Sequence, residues 1–405
     1  MCIQRRRNNI SCIIYFFLVR LTSKPIDPLQ VPRYTNFCNG VHKTVTAVFD
    51  GETQNMTYQS LVRPSDFHPH TQAYFNDACV AVTGGSGFIG SHVVEQLLAL
   101  GAQVIVPSRQ AAPPFLAHLG NLIDIRPCDF QHLAQAKSGI DGADVVMNLA
   151  ASVAGIEYNA THPESVFRNN MRTFLNVIEA ALQVKARRFL VVSSACIYPR
   201  HCLVPTPETE SLTDSPEPTN AGYGWAKRME EFAATAAVIE HGLEVAIARP
   251  YNAYGPRDNF NPRSSHVLPA LILKAHQTTD GTLPVWGDGT PTRSFLYVDD
   301  FARGLIEVTA RYAAADPLNI GASEEISIGT AASMVAEIMS RQRGTAITPT
   351  FIPTSLTGQP RRDCDTTKLE RALGFRPNVG LREGLERSVA WFIENRELAL
   401  IAHHQ

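Results

Sequence analysis

One stretch of the chain leaves few folds open. Cys79-Val80-Ala81-Val82-Thr83 is a continuous apolar run of strand length, and Gly84-Gly85-Ser86-Gly87-Phe88-Ile89-Gly90 follows at once. Residues 91–100 then carry Val93, Val94, Leu97 and Leu98 at helical spacing. A strand, a glycine turn and a helix in that order give a glycine motif meaning. The glycines allow a tight turn and let backbone approach a pyrophosphate, which rests on the partial positive charge of the helix N-terminus. Gly84, Gly87 and Gly90 stand three apart, with Phe88 and Ile89 completing the turn. The alternative is a purely structural turn.

Strand and helix patterns then alternate to Arg249. Residues 103–106 read as a second strand, ending in Pro107-Ser108-Arg109, and no Asp or Glu occurs between positions 103 and 117. In dinucleotide folds an acid at this place accepts from the adenosine ribose, whereas an arginine suits a 2′-phosphate. Ser108 and Arg109 thus favour NADP over NAD, with NAD still possible and a solvated loop arginine the plain alternative. A third strand, 122–126, precedes Asp129 and Phe130, placed to meet adenine. A fourth begins at Val145 and ends in small residues, Ala150 and Ala151, which allow the cofactor close. A helix over 163–184, an apolar strand over 189–192 and a strand over 244–248 complete the alternation. The fold class is α/β: a doubly wound parallel-sheet Rossmann domain with a smaller C-terminal substrate-binding lobe. The expected divisions are 1–76, an extension of unclear role; 77–252, the dinucleotide-binding domain; and 253–400, the lobe, some of whose segments return to the first domain.

Ser193-Ser194-Ala195-Cys196-Ile197-Tyr198-Pro199 follows the 189–192 strand, and alternation along extended chain turns Ser194 and Cys196 to one side. Tyr223-Gly224-Trp225-Ala226-Lys227 opens a helical pattern, so Tyr223 and Lys227 share a face. An ammonium beside a phenol favours the phenolate, the tuning a tyrosine needs to exchange protons near neutral pH. A bare Tyr-x-x-x-Lys is common by chance, as a surface aromatic beside a solvated lysine. The upstream motifs give this one its weight.

Hydrophobic content of 44% and charged content of 18% describe an ordinary globular chain. A net charge of -2 gives no polyanion-seeking surface, so no nucleic-acid partner is expected. The eight cysteines form no Cys-x-x-Cys pair, which implies neither a zinc site nor a disulfide framework and suits a reducing, cytoplasmic setting. Arg5-Arg6-Arg7 before the apolar run 10–19 resembles a signal peptide's first regions but is too short to span a bilayer. That segment reads three ways: a non-functional extension, a targeting or anchoring segment, or a private binding element. No membrane partner is expected for the catalytic domain.

With the glycine turn, Ser194 and Tyr223-x-x-x-Lys227 in one chain, residues 78–395 resemble the extended short-chain dehydrogenase/reductase family, in its nucleotide-sugar epimerase/reductase group. Ser-x-Cys-Ile-Tyr-Pro is similar to the GDP-sugar 3,5-epimerases. Tyr254-Gly255-Pro256-Arg257-Asp258-Asn259-Phe260 and the stretch from Ser265 to Leu271 look most like the GDP-L-fucose synthases, in which a histidine falls at His266. Ser86 stands where those enzymes carry an arginine.

The resemblance implies a nucleotide-linked 4-keto sugar as substrate. A C4 ketone acidifies the C3 and C5 protons, and Cys196 with His266 would form the acid–base pair that inverts those carbons. A thiolate beside a cationic imidazole is available at neutral pH. Hydride from NADPH would then reduce C4 while Tyr223 protonates the oxygen, Ser194 donates to it, and Lys227 holds the nicotinamide ribose and lowers the phenol. Arg293 would clamp the diphosphate, with Asn252 and Trp286 in the sugar-nucleotide pocket; a structural salt bridge or core packing is the alternative for these. A homodimer is the family's expectation. Two other functions stay open: an NAD-retaining epimerase or dehydratase with no net redox change, and a non-catalytic dinucleotide-binding sensor or scaffold.

Overall fold

Seven strands set the architecture: β1 (Cys79–Thr83), β2 (Gln103–Ser108), β3 (Ile123–Pro127), β4 (Val145–Asn148), β5 (Arg188–Val192), β6 (Glu244–Pro250) and β7 (Leu318–Ile320). In the computed structural model, which describes residues 62–153, 156–262, 264–353 and 359–401, they form one parallel sheet in the order β7-β6-β5-β4-β1-β2-β3. The apolar run 10–19 lies outside the described residues. Strand order reverses between β1 and β4, and in such sheets the crevice beyond the strand ends at that point takes the ligand.

Both faces are covered because the strands are apolar on both sides. Val80 and Val82 of β1 point into one core, shared with α2 (Phe88–Ala99) and α7 (Val298–Arg311). Ala81 points to the other, shared with α3 (Leu133–Ile140), α4 (Pro163–Gln183) and α5 (Ala221–His241). A third cluster, built on α6 (Val267–Gln277), α8 (Ile328–Arg343) and α9 (Leu381–Glu394), is the core of the C-terminal lobe. That lobe carries its own short sheets, among them Thr292–Ser294 paired with Glu325–Ser327 and Arg361–Arg362.

The described chain starts upstream of the glycine turn. Phe67 and Phe75, flanking the short helix α1 (Pro69–Phe75), are buried in the first core. The Thr71 hydroxyl donates to Glu307 Oε2 at 2.7 Å and the His68 amide donates to Oε1 at 2.8 Å, fastening this segment to α7. Among the described residues no helix is long and apolar enough to cross a membrane. Cys79, Cys128, Cys196, Cys202 and Cys364 are free thiols.

Candidate active site

The glycine turn closes tightly between β1 and β4. Gly84 has φ +68°, and a Cβ there would stand 3.0 Å from the Ala150 amide nitrogen. A Cβ on Gly90 would come within 2.1 Å of the Gly84 carbonyl oxygen, so only glycine lets α2 start here. Gly87 is the N-cap and sets no side chain over the first amides; half-buried Phe88 and Ile89 form the first turn. An uncapped helix start at a glycine cradle suits a pyrophosphate. The Ala150 amide donates to Thr83 Oγ1 at 3.1 Å, holding the two strand ends together.

Farther along the strand ends, Ser108 is buried, its hydroxyl accepting from the Gln110 amide at 3.0 Å, and Arg109 beside it is exposed. The half-buried Asp129 carboxylate accepts from the Gln131 amide at 3.0 Å, and Phe130 packs against the α3–α4 core. These residues fit a dinucleotide lying across the sheet ends.

β5 stops at Val192, and a single 3-10 turn, Ala195–Ile197, follows Ser194. The Ser194 hydroxyl caps that turn, accepting from the Cys196 amide at 3.1 Å. Extended alternation past the strand therefore does not hold here; the turn, not a pleat, sets Ser194 and Cys196 side by side, both half-buried. The start of α5 is pressed onto it. A Cβ on Gly224 would meet the Cys196 carbonyl oxygen at 2.5 Å, and one on Gly222 would meet the Pro163 carbonyl oxygen at 2.2 Å. Arg228 ties the two segments, its Nε donating to the Ile197 carbonyl at 2.9 Å. This close approach brings the Tyr223 hydroxyl within the influence of Ser194, which acts to lower the phenol.

Lys227 lies one turn along α5, its ammonium 5.6 Å from the centroid of the Tyr223 ring. Its influence lowers the phenol, as the spacing implies, but burial is the larger effect and Cys196 and Glu230 add to it. Tyr223 is pushed up to about 12, a correction to the lowered phenol that the sequence suggested.

The second half of the site converges on a residue the sequence reading missed. An Arg362 guanidinium nitrogen lies 3.5 Å from Cys196 Sγ. His266 is the N-cap residue of α6 and is exposed. Partial desolvation, then the Arg362 charge, lowers its imidazole, and the positive end of α6 acts in the same sense. The cation beside the Cys196 thiol is thus Arg362, and His266 is held toward its neutral form, in place of the cationic imidazole anticipated. Burial and the Arg362 charge also lower Arg293 to about 10, against the pull of Glu325. Two guanidinium groups so placed have the charge and donors that an anion of more than one charge requires. Pro360-Arg361-Arg362 was the available signal, unreadable without the fold because it is far from every other motif.

The remaining candidates are spread more widely. The Asn252 amide donates to the Ser294 carbonyl at 2.8 Å, bracing the strand that carries Arg293. Trp286 ends the strand Thr282–Trp286 and is exposed, with the Lys274 ammonium 4.6 Å from its ring centroid. Among the described residues no group of three or more His, Cys, Asp or Glu side chains could hold a metal ion.

Comparison with known proteins agrees with this geometry. Residues 80–321 match the NAD dependent epimerase/dehydratase family. The probable GDP-L-fucose synthase 1 of Oryza sativa subsp. japonica is 34% identical over 321 residues, 78% of this chain and 92% of that protein. An epimerase from Methanothermobacter thermautotrophicus superposes with a TM-score of 0.72 at 27% identity, over 82% of this chain and 98% of the other. A GDP-L-fucose synthetase from Naegleria fowleri bound to NADP superposes with a TM-score of 0.68 at 25% identity, over 80% and 94%. A glycine cradle at the switch point, a joined Ser194, Tyr223 and Lys227, and relatives over most of the chain lead to one conclusion: this chain belongs to the NAD dependent epimerase/dehydratase family of nicotinamide-dependent enzymes, and within it resembles the GDP-L-fucose synthases.

Proposed function

We propose that the protein carries out 3,5-epimerisation and 4-reduction of a GDP-linked 4-keto-6-deoxy sugar. One observation carries this reading: Cys196 shares a single turn with Ser194 and stands 3.5 Å from an arginine whose charge reaches both His266 and Arg293. An acid–base pair, a diphosphate clamp and a Ser–Tyr–Lys trio then belong to one site.

In the first phase the C4 ketone makes the C3 and C5 protons acidic. Cys196 and His266 act as the pair, one taking a proton from one face of the sugar and the other returning a proton to the opposite face. Arg293 and Arg362 hold the diphosphate, with Asn252 bracing Arg293 and Trp286 at the outer edge of the pocket. In the second phase bound NADPH supplies the hydride for C4. Tyr223 gives its hydroxyl proton to the C4 oxygen, Ser194 donates a hydrogen bond to that oxygen, and Lys227 holds the nicotinamide ribose. Gly84, Gly87, Phe88, Ile89 and Gly90 would receive the pyrophosphate, Ser108 and Arg109 the 2′-phosphate that distinguishes NADP, and Asp129, Phe130 and Ala150 the adenine side and strand ends. Residues 77–252 then carry the dinucleotide and 253–400 the sugar nucleotide.

The working unit is a homodimer. Trp225, Phe232 and Ile239 recur every seven residues along α5, so they share a face, and all three are exposed, as are Leu175 and Phe167 on α4. An unpartnered apolar stripe on two adjoining helices suits a second copy of the chain.

The test is incubation with GDP-4-keto-6-deoxymannose and NADPH, following cofactor absorbance and product stereochemistry, with NADH in parallel. Stoichiometric NADPH loss with inversion at C3 and C5 is the expected result. Inversion without net cofactor loss would replace the reductase reading with an NAD-retaining epimerase. Equal rates with NADH would remove the preference for NADP.

A further inference from the structure

Three residues beyond Lys227, on the same helix, lies a carboxylate that the proposed chemistry does not use. Glu230 is 2% exposed, and its Oε2 is 2.8 Å from the Lys227 ammonium nitrogen. The same ammonium donates to the Val192 carbonyl at 2.9 Å. Two of its three protons are thereby spent, and one is left for a ribose hydroxyl. A lysine meant only to draw a proton from the neighbouring phenol would stand as an uncompensated cation. This one does not.

We propose that Glu230 is a positioning residue that neutralises Lys227, so that the lysine orients the cofactor ribose while Tyr223 stays protonated and the site is biased toward giving a proton, as a reductase needs. The inference rests on Tyr223 being the proton donor proposed above. Whichever member of the buried pair holds the proton, the pair is neutral, so Lys227 brings the phenol no uncompensated positive charge. The other groups facing it are Ser194 and Cys196 on the turn after β5, with the Arg362 guanidinium 3.5 Å beyond Cys196 Sγ. Glu231, next along α5, is engaged by Arg249 of β6 at 2.7 Å and adds nothing unbalanced. The electrostatics agree. Burial alone would lower the Lys227 ammonium, but Glu230, with Tyr223, carries it above its ordinary value. Burial pushes the Glu230 carboxyl up, against the pull of Lys227.

The experiment is a tyrosinate absorbance titration of the full chain, taken as the difference between each protein and its Tyr223→Phe counterpart so that only Tyr223 is read. In the unmodified protein Tyr223 is less than half ionised at pH about 10, the ordinary phenol value. In Glu230→Gln the ammonium is uncompensated, and in a site of effective dielectric about 20 the midpoint falls by at least about one pH unit. Glu230→Asp, which keeps the charge, restores most of the difference, and the high-pH limb of NADPH consumption moves in step. Glu230→Ala, with room for a water on the ammonium, repeats the test should the glutamine variant not fold. An unchanged midpoint in the neutral variants, or an equal fall in Glu230→Asp, overturns the proposal. Failure of the underlying reading looks different: a Tyr223→Phe protein with normal turnover removes the donor role and leaves the titration result standing.

Discussion

Replacing Arg362 with methionine keeps most of the side chain's bulk and removes its charge. The guanidinium lies 3.5 Å from Cys196 Sγ, and its field lowers both His266 and Arg293. A hydrogen bond to a charged group contributes about 1.5–3 kcal/mol, which corresponds to roughly 10–150-fold in a rate that depends on it. The epimerisation step is read by solvent deuterium entering C3 and C5, the reduction step by NADPH loss, and cofactor binding by NADPH fluorescence. Deuterium entry is expected to fall by that factor while NADPH binding stays as it was. The sign at His266 is fixed too: partial desolvation and Arg362 both lower the imidazole, so removing Arg362 moves its midpoint up toward 6.5. The pH at which exchange is half-maximal then rises in the variant. Unaltered exchange at saturating substrate, with only a higher KM, would refute the assignment to Cys196 and leave Arg362 as a diphosphate ligand alone.

Three other outcomes follow from single residues. Gly90→Ala should weaken NADPH binding at least about tenfold, since the added Cβ meets the Gly84 carbonyl at 2.1 Å; fluorescence titration reads this. Phe75→Ala should cost about 3–5 kcal/mol in denaturant unfolding, because Phe75 is 0% exposed in the core against α7 although it lies upstream of the matched family region. Asp258 is buried, its Oδ2 has no hydrogen-bond partner among the described residues, and burial raises its carboxyl to about 8. The folded state then binds a proton that the unfolded state has released between pH about 4 and 8, so this group subtracts stability as pH rises across that window. Asp258→Asn should therefore be the more stable protein at pH about 9, with the gap closing toward pH about 4.

The order of strands and helices was legible because the apolar runs have the period of their elements, several of them with a glycine or proline boundary. Cys79–Thr83 begins and ends where the sequence pattern puts it, and the expected 189–192 and 244–248 strands lie within β5 and β6. The glycine turn was legible for the same reason, its spacing being fixed by clashes that no side chain could relieve. Helix α1 was not, since Thr71 and Phe75 are a single pair in seven residues, Phe75 buried in the first core and Thr71 held by Glu307, more than 230 positions away. In the candidate site the local pairs, Ser194 with Cys196 and Tyr223 with Lys227, could be read from spacing. Their electrostatics could not. Burial around Tyr223 outweighs the lysine, Glu230 compensates that lysine, and Arg362 arrives from the far end of the chain. Motif spacing gives proximity along one element and says nothing of the dielectric or of charges that other elements bring.

The proposed reduction depends on Tyr223 giving the proton that completes it at C4. Turnover of the Tyr223→Phe protein with GDP-4-keto-6-deoxymannose and NADPH measures this directly, with NADPH binding followed in the same sample. Loss of turnover by about 10²–10⁴-fold with binding retained is the predicted result. A phenylalanine protein that consumes NADPH at the unmodified rate would contradict it.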